Sequence, residues 1–408
     1  MTLKELAHAA QQHLQSRASQ PVRRSHVHEL LAAAFSYRSW AAFLSDALLA
    51  DTGVGDAPDG GAAAVSGRAL QLGYGQADAV GMAATLLSFI ASHQLTCVRW
   101  SELHALQAPM APADGGDADY EDGEDGGETD DPGLDSTASV GPTVPRERLL
   151  GSPLLLEGLE QAAAQGDPAV HALLAALYRC ERPNPYLYEE SLKGRVLSVI
   201  ERRWADQYLK LEPQFRRYEQ HLKAAALGGV RQAAAEYAAA FDSREFYELA
   251  DRMTGEVDAA QMARIAGTPA SRARWLREAA EQGSASALQQ LADGGDLWAL
   301  EQLAEQGDSV ALRALAEEAL ERGDLVRAWV WQHLALSHGV DLTRSTMRAY
   351  HDGGPNDGEF YDSDFGGTLY VDGEEALVLP ALEEAEQRRA TSLAREIHDR
   401  TSHRPRLS

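Results

Sequence analysis

Along the second half of the chain, apolar positions fall into a phrase that recurs five times: an apolar, mostly small residue, three further positions, a glycine, then apolar residues at four-residue steps. The copies read AAAQG at 162–166, AALGG at 225–229, AAEQG at 279–283, LAEQG at 303–307 and ALSHG at 335–339. Four residues beyond each glycine stand Val170, Ala233, Ala287, Ala311 and Thr343. Eight beyond stand Leu174, Tyr237, Leu291, Leu315 and Met347. Alanine has the strongest helix propensity and lets a neighbouring helix come close. Glycine adopts positive φ and stops a helix in a left-handed cap. Residues four apart share one stripe of the next helix. Repetition of such a phrase predicts a stack of helix pairs, each too small to bury a core of its own.

Two copies are fuller. In ARWLREAAEQG, Trp275 stands eight residues before Gly283 with Ala279 midway; in RGDLVRAWVWQHLALSHG, Trp331 stands eight before Gly339 with Ala335 midway. Asp324 after Gly323, and Thr268 before Pro269, are placed as N-caps. AxxWxxxAAxxG before the turn and GxxxAxxxLA after it resemble the Sel-one-like repeat, a relative of the tetratricopeptide repeat found in bacteria and eukaryotes. The resemblance is closest over 271–339 and looser at 154–180 and 217–241. It implies a right-handed α-superhelix acting as an adaptor between proteins, with no catalytic residues. The glycines are 63, 54, 24 and 32 residues apart, against family units of about forty, so the expected solenoid is irregular. The 24-residue spacing leaves room for two short helices around LQQLADGGDLWALEQLA.

The expected fold is therefore all-α: a small helical domain at 1–107, an acidic disordered linker at 108–145, an irregular solenoid at 146–350, and an acidic loop, β-hairpin and capping helix at 351–408. In the first domain a helix starts at Ser25 as N-cap, and HELLAAAFSYRSWAAFLSD resembles a small bacterial module whose helix ends in a glycine turn. Here Ser36 holds the glycine position, and Tyr37, Trp40 and Phe43 are expected to staple the turn to the core. DTGVGDAPDGGAAAVSG (51–67) reads as a flexible connection, 76–92 as a buried helix, and WSELHALQ as a short one. Pro183 and Pro185 make 183–188 a connector; 189–211 reads as one long helix, with Pro213 starting the next. Near the C-terminus, LYV-DG-EEALVL has the Asp372–Gly373 pair of a two-residue hairpin turn.

Charge sharpens this picture. The net charge is −25; residues 106–145 hold eleven acids and no base, too polar to order themselves by burial. So acidic a chain is a poor nucleic-acid binder, and no run reaches the roughly 20 apolar residues of a membrane helix. With no signal peptide at its start and only Cys97 and Cys180, a cytoplasmic protein is expected. Arg195, Arg202, Arg203, Arg216 and Arg217 form the densest basic patch, either a solvated helix face or a docking site for an acidic partner, the chain's own linker included.

Candidate chemistry is sparse. Asp352, Asp357, Glu359, Asp362 and Asp364 crowd one glycine-rich loop without the order of a calcium-binding motif, and read as a solvated acidic loop. His26, His28, His93, His104 and Cys97 lack zinc-ligand spacing. There is no nucleophile elbow, P-loop or dinucleotide fingerprint. The expectation is a protein-binding scaffold, neither an enzyme nor a cofactor protein. Its anchors would be Trp298, Arg313, Trp329, Phe360, Tyr361 and Phe365. An acidic regulatory or immunity-type inhibitor of a basic partner is the second reading, and a metal-dependent enzyme built on the 352–364 loop a distant third.

Overall fold

A computed structural model describes residues 2–105, 145–353, 357–361 and 367–402. Apart from Pro145, the expected linker lies outside them. The described chain is helical throughout except for two two-stranded antiparallel sheets, as an all-α helical-repeat fold with a C-terminal hairpin requires. It forms two compact units, Met1–Val257 and Asp258–Ser408.

The first unit opens with α1 (Leu3–Gln15), α2 (Arg24–Ala34), α3 (Trp40–Asp46), β1 (Ala47–Ala50), α4 (Gly61–Gln71), α5 (Gln76–Ser92), β2 (Thr96–Arg99) and α6 (Trp100–Ala105). It continues with α7 (Arg146–Leu150), α8 (Pro153–Ala163), α9 (Pro168–Tyr178), α10 (Tyr186–Leu192), α11 (Val199–Leu227), α12 (Arg231–Phe241) and α13 (Arg244–Arg252). The region 1–107 is thus not purely helical. β1 and β2 pair in the register Ala47↔Arg99 to Ala50↔Thr96. Leu48, Leu49, Cys97 and Val98 are all buried, so neither strand shows the polar alternation that marks a strand in sequence. Part of the expected connection 51–67 is likewise α4, an Ala-rich helix packed on α2 and α5. α2 begins two residues earlier than expected, with Arg23 at the N-cap position, so Ser25 lies inside it.

Ser36 performs the role its position suggested. It has φ 62°, and the reverse hydrogen bonds Tyr37 N–H to Ala32 O (2.9 Å) and Ser36 N–H to Ala33 O (3.2 Å) close the end of α2. Phe43, fully buried, then receives Tyr37 edge-on at 5.2 Å and Trp40 stacked at 5.1 Å.

This N-terminal part is continuous in packing with the helices that follow 145. Leu154 of α8 belongs to the N-terminal core, and α8 lies on β1. Buried Ser152, the N-cap of α8, accepts from Asp51 N–H (3.0 Å) and donates to Asp51 Oδ1 (2.5 Å). Leu3 N–H donates to Glu157 (2.6 Å). The first repeat helix is therefore roofed by the small sheet and by α1.

Two expectations for the middle of this unit change. The stretch 189–211 is not one helix: Gly194 (φ 92°) ends α10, and Ser198 starts α11 with a capping box. Pro213 then lies inside α11, which runs unbroken for 29 residues. A helix-interior proline removes one hydrogen bond and crowds the turn before it, and the packing of the second half of α11 on α9 and α12 accompanies it.

The second unit is a row in which each helix packs on the next: α14 (Ala259–Ile265), α15 (Pro269–Glu281), α16 (Ala285–Asp293), α17 (Leu297–Glu305), α18 (Ser309–Glu321) and α19 (Leu325–Ser337). α16 and α17, nine residues each, fill the short 24-residue interval as expected. From α15 onward every turn is built alike. Gly283 takes φ 103° and Gly307 φ 95°; Ser284 N–H returns to Ala279 O (3.0 Å) and Asp308 N–H to Leu303 O (3.1 Å). Ser284, Asp296, Asp308 and Asp324 then cap the following helix. The residue four before each glycine is thus the one whose carbonyl closes the turn. Trp275, Ala279, Ala287, Leu291, Ala311, Leu315, Trp331 and Ala335 are buried as the spacing predicts.

The fifth copy stops there. Gly339 caps α19, but no helix follows: Thr343 and Met347 lie in an irregular stretch, where buried Gln332 holds Asp341 (2.7 Å) and Leu342 N–H (3.0 Å). The hairpin also differs from expectation. β4 (Leu369–Asp372) pairs back with β3 (Arg348–His351), and among the described residues no strand follows Gly373. Gly373, at φ 105°, turns the chain beside Thr346, where a Cβ would come within 2.5 Å of Thr346 O. From there Glu374–Glu383 runs extended to α20 (Glu384–Ser402), which packs on α19.

A left-handed serine costs about 1 kcal/mol relative to glycine. Ser36→Gly is accordingly expected to raise the free energy of unfolding of the first unit by about 0.5–1 kcal/mol in urea titration; an unchanged or lower midpoint would contradict the strained turn.

Candidate functional site

The expected anchors fall in the second unit, and most are engaged by the chain itself. Trp298 on α17 is half-buried under Arg277 of α15 (4.5 Å to the ring), which also holds Asp296 at 2.8 Å. Arg313 on α18 pairs with Glu317 (2.8 Å) and Glu374 (3.3 Å) and donates to Glu375 O (2.8 Å). Trp329 on α19 donates its indole N–H to Pro380 O (2.8 Å) and lies beside His333. Leu377 N–H donates to Leu342 O (2.8 Å), and Leu377 and Leu382 pack on the core formed by α17–α20. Arg313 and Trp329 therefore act together: they clasp the extended Glu374–Glu383 segment by its backbone carbonyls across α18 and α19.

On the small sheet, Tyr350 stacks between Phe360 (5.2 Å) and Tyr370 (5.4 Å), while Tyr361 N–H donates to Ala349 O (2.8 Å). Phe360 is exposed, Tyr361 half-buried against His351. Phe365 lies outside the described residues, as do Asp362 and Asp364 of the acidic loop; Asp357 accepts from Gly353 N–H. Among the described residues no group of three or more His, Cys, Asp or Glu side chains is arranged to hold a metal ion.

The histidines and cysteines of the first unit have local partners. His26 bonds Tyr74 (2.8 Å), His28 stacks on Trp40 (4.8 Å), and His93 Nδ1 lies 2.9 Å from Phe89 O. Burial pushes the Cys97 thiol up to about 12, and burial also raises Cys180, so neither is a ready thiolate. A cluster that the sequence did not reveal joins α8, α9 and α11: Glu160, His221 and His171 lie in line at 3.2 and 3.0 Å, with Tyr178 stacked on His221. Burial lowers the pKa of His221, and the nearby Glu160 only partly counters it. The neutral imidazole packs three helices together.

The free surface is elsewhere. Of the first half of α11, only Ala205 is buried, while Leu192, Val196, Val199, Ile200 and Trp204 are all more than half exposed, Val196 at 89% and Trp204 at 58%. Tyr188 stacks on Tyr208 (5.3 Å) and ties α10 to α11 as an arm. The basic residues flagged in the sequence divide here. Arg217 is held by Tyr178 (3.0 Å), Arg195 pairs with Glu201 and Arg216 with Glu212. Arg202, Arg203 and Lys210 have no ion pair among the described residues. The signal for the arm was present but misleading: residues 192, 196, 200 and 204, four apart, spell a core-facing stripe. The break at Gly194, and the lack of an opposing helix among the described residues, leave it in solvent.

Compared with protein families, with curated proteins and with solved structures, the chain matches none.

Trp329→Phe keeps the ring and removes the donor to Pro380. Hydrogen exchange read by mass spectrometry is expected to speed up over 375–382 while α15 and α16 stay unchanged. Equal exchange in both proteins would show that the indole bond does not hold the segment.

Proposed function

We propose that the protein is a scaffold that binds another protein, and that the α10–α11 arm is its principal docking surface. One observation carries this reading: large apolar side chains from Leu192 to Leu209 face solvent along the arm, while α15–α19 spend their apolar stripes on neighbouring helices. Large apolar side chains left together in water mark an interaction surface far more often than isolated ones do. Tryptophan and arginine, both present on the arm, dominate the energetics of protein interfaces.

The repeat architecture supports the same reading, because helical rows present long surfaces built from rigid elements. In this view the chain is an adaptor of the Sel-one-like kind, acting in the cytoplasm without cofactor or catalytic centre. The net charge of −25 argues against nucleic acid as the partner. No described helix is long and apolar enough to cross a membrane.

Tagged full-length protein recovered from its native host after cross-linking is expected to bring down a stoichiometric protein partner. Replacing Ile200 and Trp204, both exposed, by glutamate should lower that recovery about tenfold while circular dichroism stays unchanged. Recovery of the same partner at the same level with the variant would remove the arm from the account.

A further inference from the structure

We propose that the cleft between α10 and α11 receives an acidic segment of another protein, which seats one bulky apolar side chain between the helices and sets its carboxylates against Arg202, Arg203 and Lys210. The inference rests on the arm being an interaction surface and adds the chemistry of what it takes.

The cleft has a volume of about 350 Å³, near the lower end of the ~300–1,000 Å³ of ligand sites. Leu197 and Ala205, both buried, are part of its lining, together with Tyr188, Val196 and Leu209. On α11 the cleft face carries Arg202, Ala205, Asp206 and Leu209, spaced i, i+3, i+4, i+7. By the same helical spacing Val199, Arg203 and Lys210 flank that face. Apolar lining thus lies beside three cations with no ion pair among the described residues, and Asp206 is the single acid of the lining.

Charge identifies the occupant. Over residues 189–217, which include the acids of α10, there are seven Lys or Arg against five Asp or Glu, a local +2 on a chain of −25. Such a patch attracts acidic groups at short range, and the apolar cleft adds an anchor site beside them. An anionic bilayer fits less well. A helix lying in a membrane interface buries one face, whereas the exposed apolar residues of α11 lie on two: Val199 and Leu209 toward the cleft, Ile200 and Trp204 away from it. The bilayer would also repel the remainder of so acidic a chain.

The test pans a random peptide library displayed on phage against the full-length chain, then measures a selected peptide, fluorescently labelled, on two variants. One reverses charge (Arg202→Glu, Arg203→Glu, Lys210→Glu); the other reduces exposed apolar surface (Val196→Ser, Leu209→Ser). Circular dichroism checks that both fold. Enriched peptides are expected to carry Asp or Glu beside Leu, Phe or Trp, to bind more weakly in high salt, and to lose about tenfold or more on each variant. Neutral or basic peptides, lost only on the apolar variant, would overturn the acidic assignment and leave the arm as an interaction surface. Enrichment that neither variant affects would overturn both. The acidic-segment proposal would also fall if phosphatidylserine-containing vesicles sedimented the chain and charge reversal abolished this. A homodimer dissociated by the apolar variant would overturn it in favour of a second copy.

Discussion

One hydrogen bond recurs at the ends of α11, α12 and α15–α19. The N–H after a left-handed residue returns to the carbonyl five positions earlier, as from Ser284 to Ala279, Asp308 to Leu303, Asp324 to Ala319 and Val340 to Ala335. It satisfies a carbonyl that the end of the helix would otherwise leave open, and it reverses the chain within a few residues. The next residue, an Asp or Ser in most turns, caps the following helix. Because the turn is so short, consecutive helices must lie side by side. Because alanines meet at their contact, they lie close. The row of helices follows from this turn repeated.

A row built from neighbours has ends, and the apolar stripe of an end helix needs a cover. The first unit covers α8 with β1, Ser152 and Asp51 binding the two elements together. The second covers α19 with α20, threaded there by the segment that Arg313 and Trp329 hold. Both covers join residues distant in sequence: Asp51 meets Ser152, and Trp329 meets Pro380. They are long-range contacts in a largely local architecture, and the second consumes Arg313 and Trp329, which read in sequence as binding anchors.

That difference marks what could be read without coordinates. Glycine spacing and four-residue stripes are local signals, and they located α8, α9 and α15–α19, the N-caps Thr268 and Asp324, and the burial of Trp275 and Trp331. Ser36 was legible by another route, the resemblance of its stretch to a module whose helix ends in a glycine turn. The strands were not legible: β1 and β2 are four residues each and largely buried, so no alternation distinguishes them from helix. β4 offered a turn signal at Asp372–Gly373, but Gly373 serves a close crossing over Thr346 instead. The arm failed differently. Its stripe was visible, yet a stripe says only that a surface is apolar, and whether another helix covers it is a tertiary fact.

Docking through the α10–α11 arm requires that it be bare in solution while the repeats are closed. Hydroxyl-radical footprinting of the dilute full-length protein tests this directly. Val196, Ile200 and Trp204 should be oxidised rapidly, and Trp275 and Trp331 only slowly, in keeping with their exposure. Protection of Trp204 equal to that of Trp275 would show the arm already covered, and the free docking surface would be lost from the account.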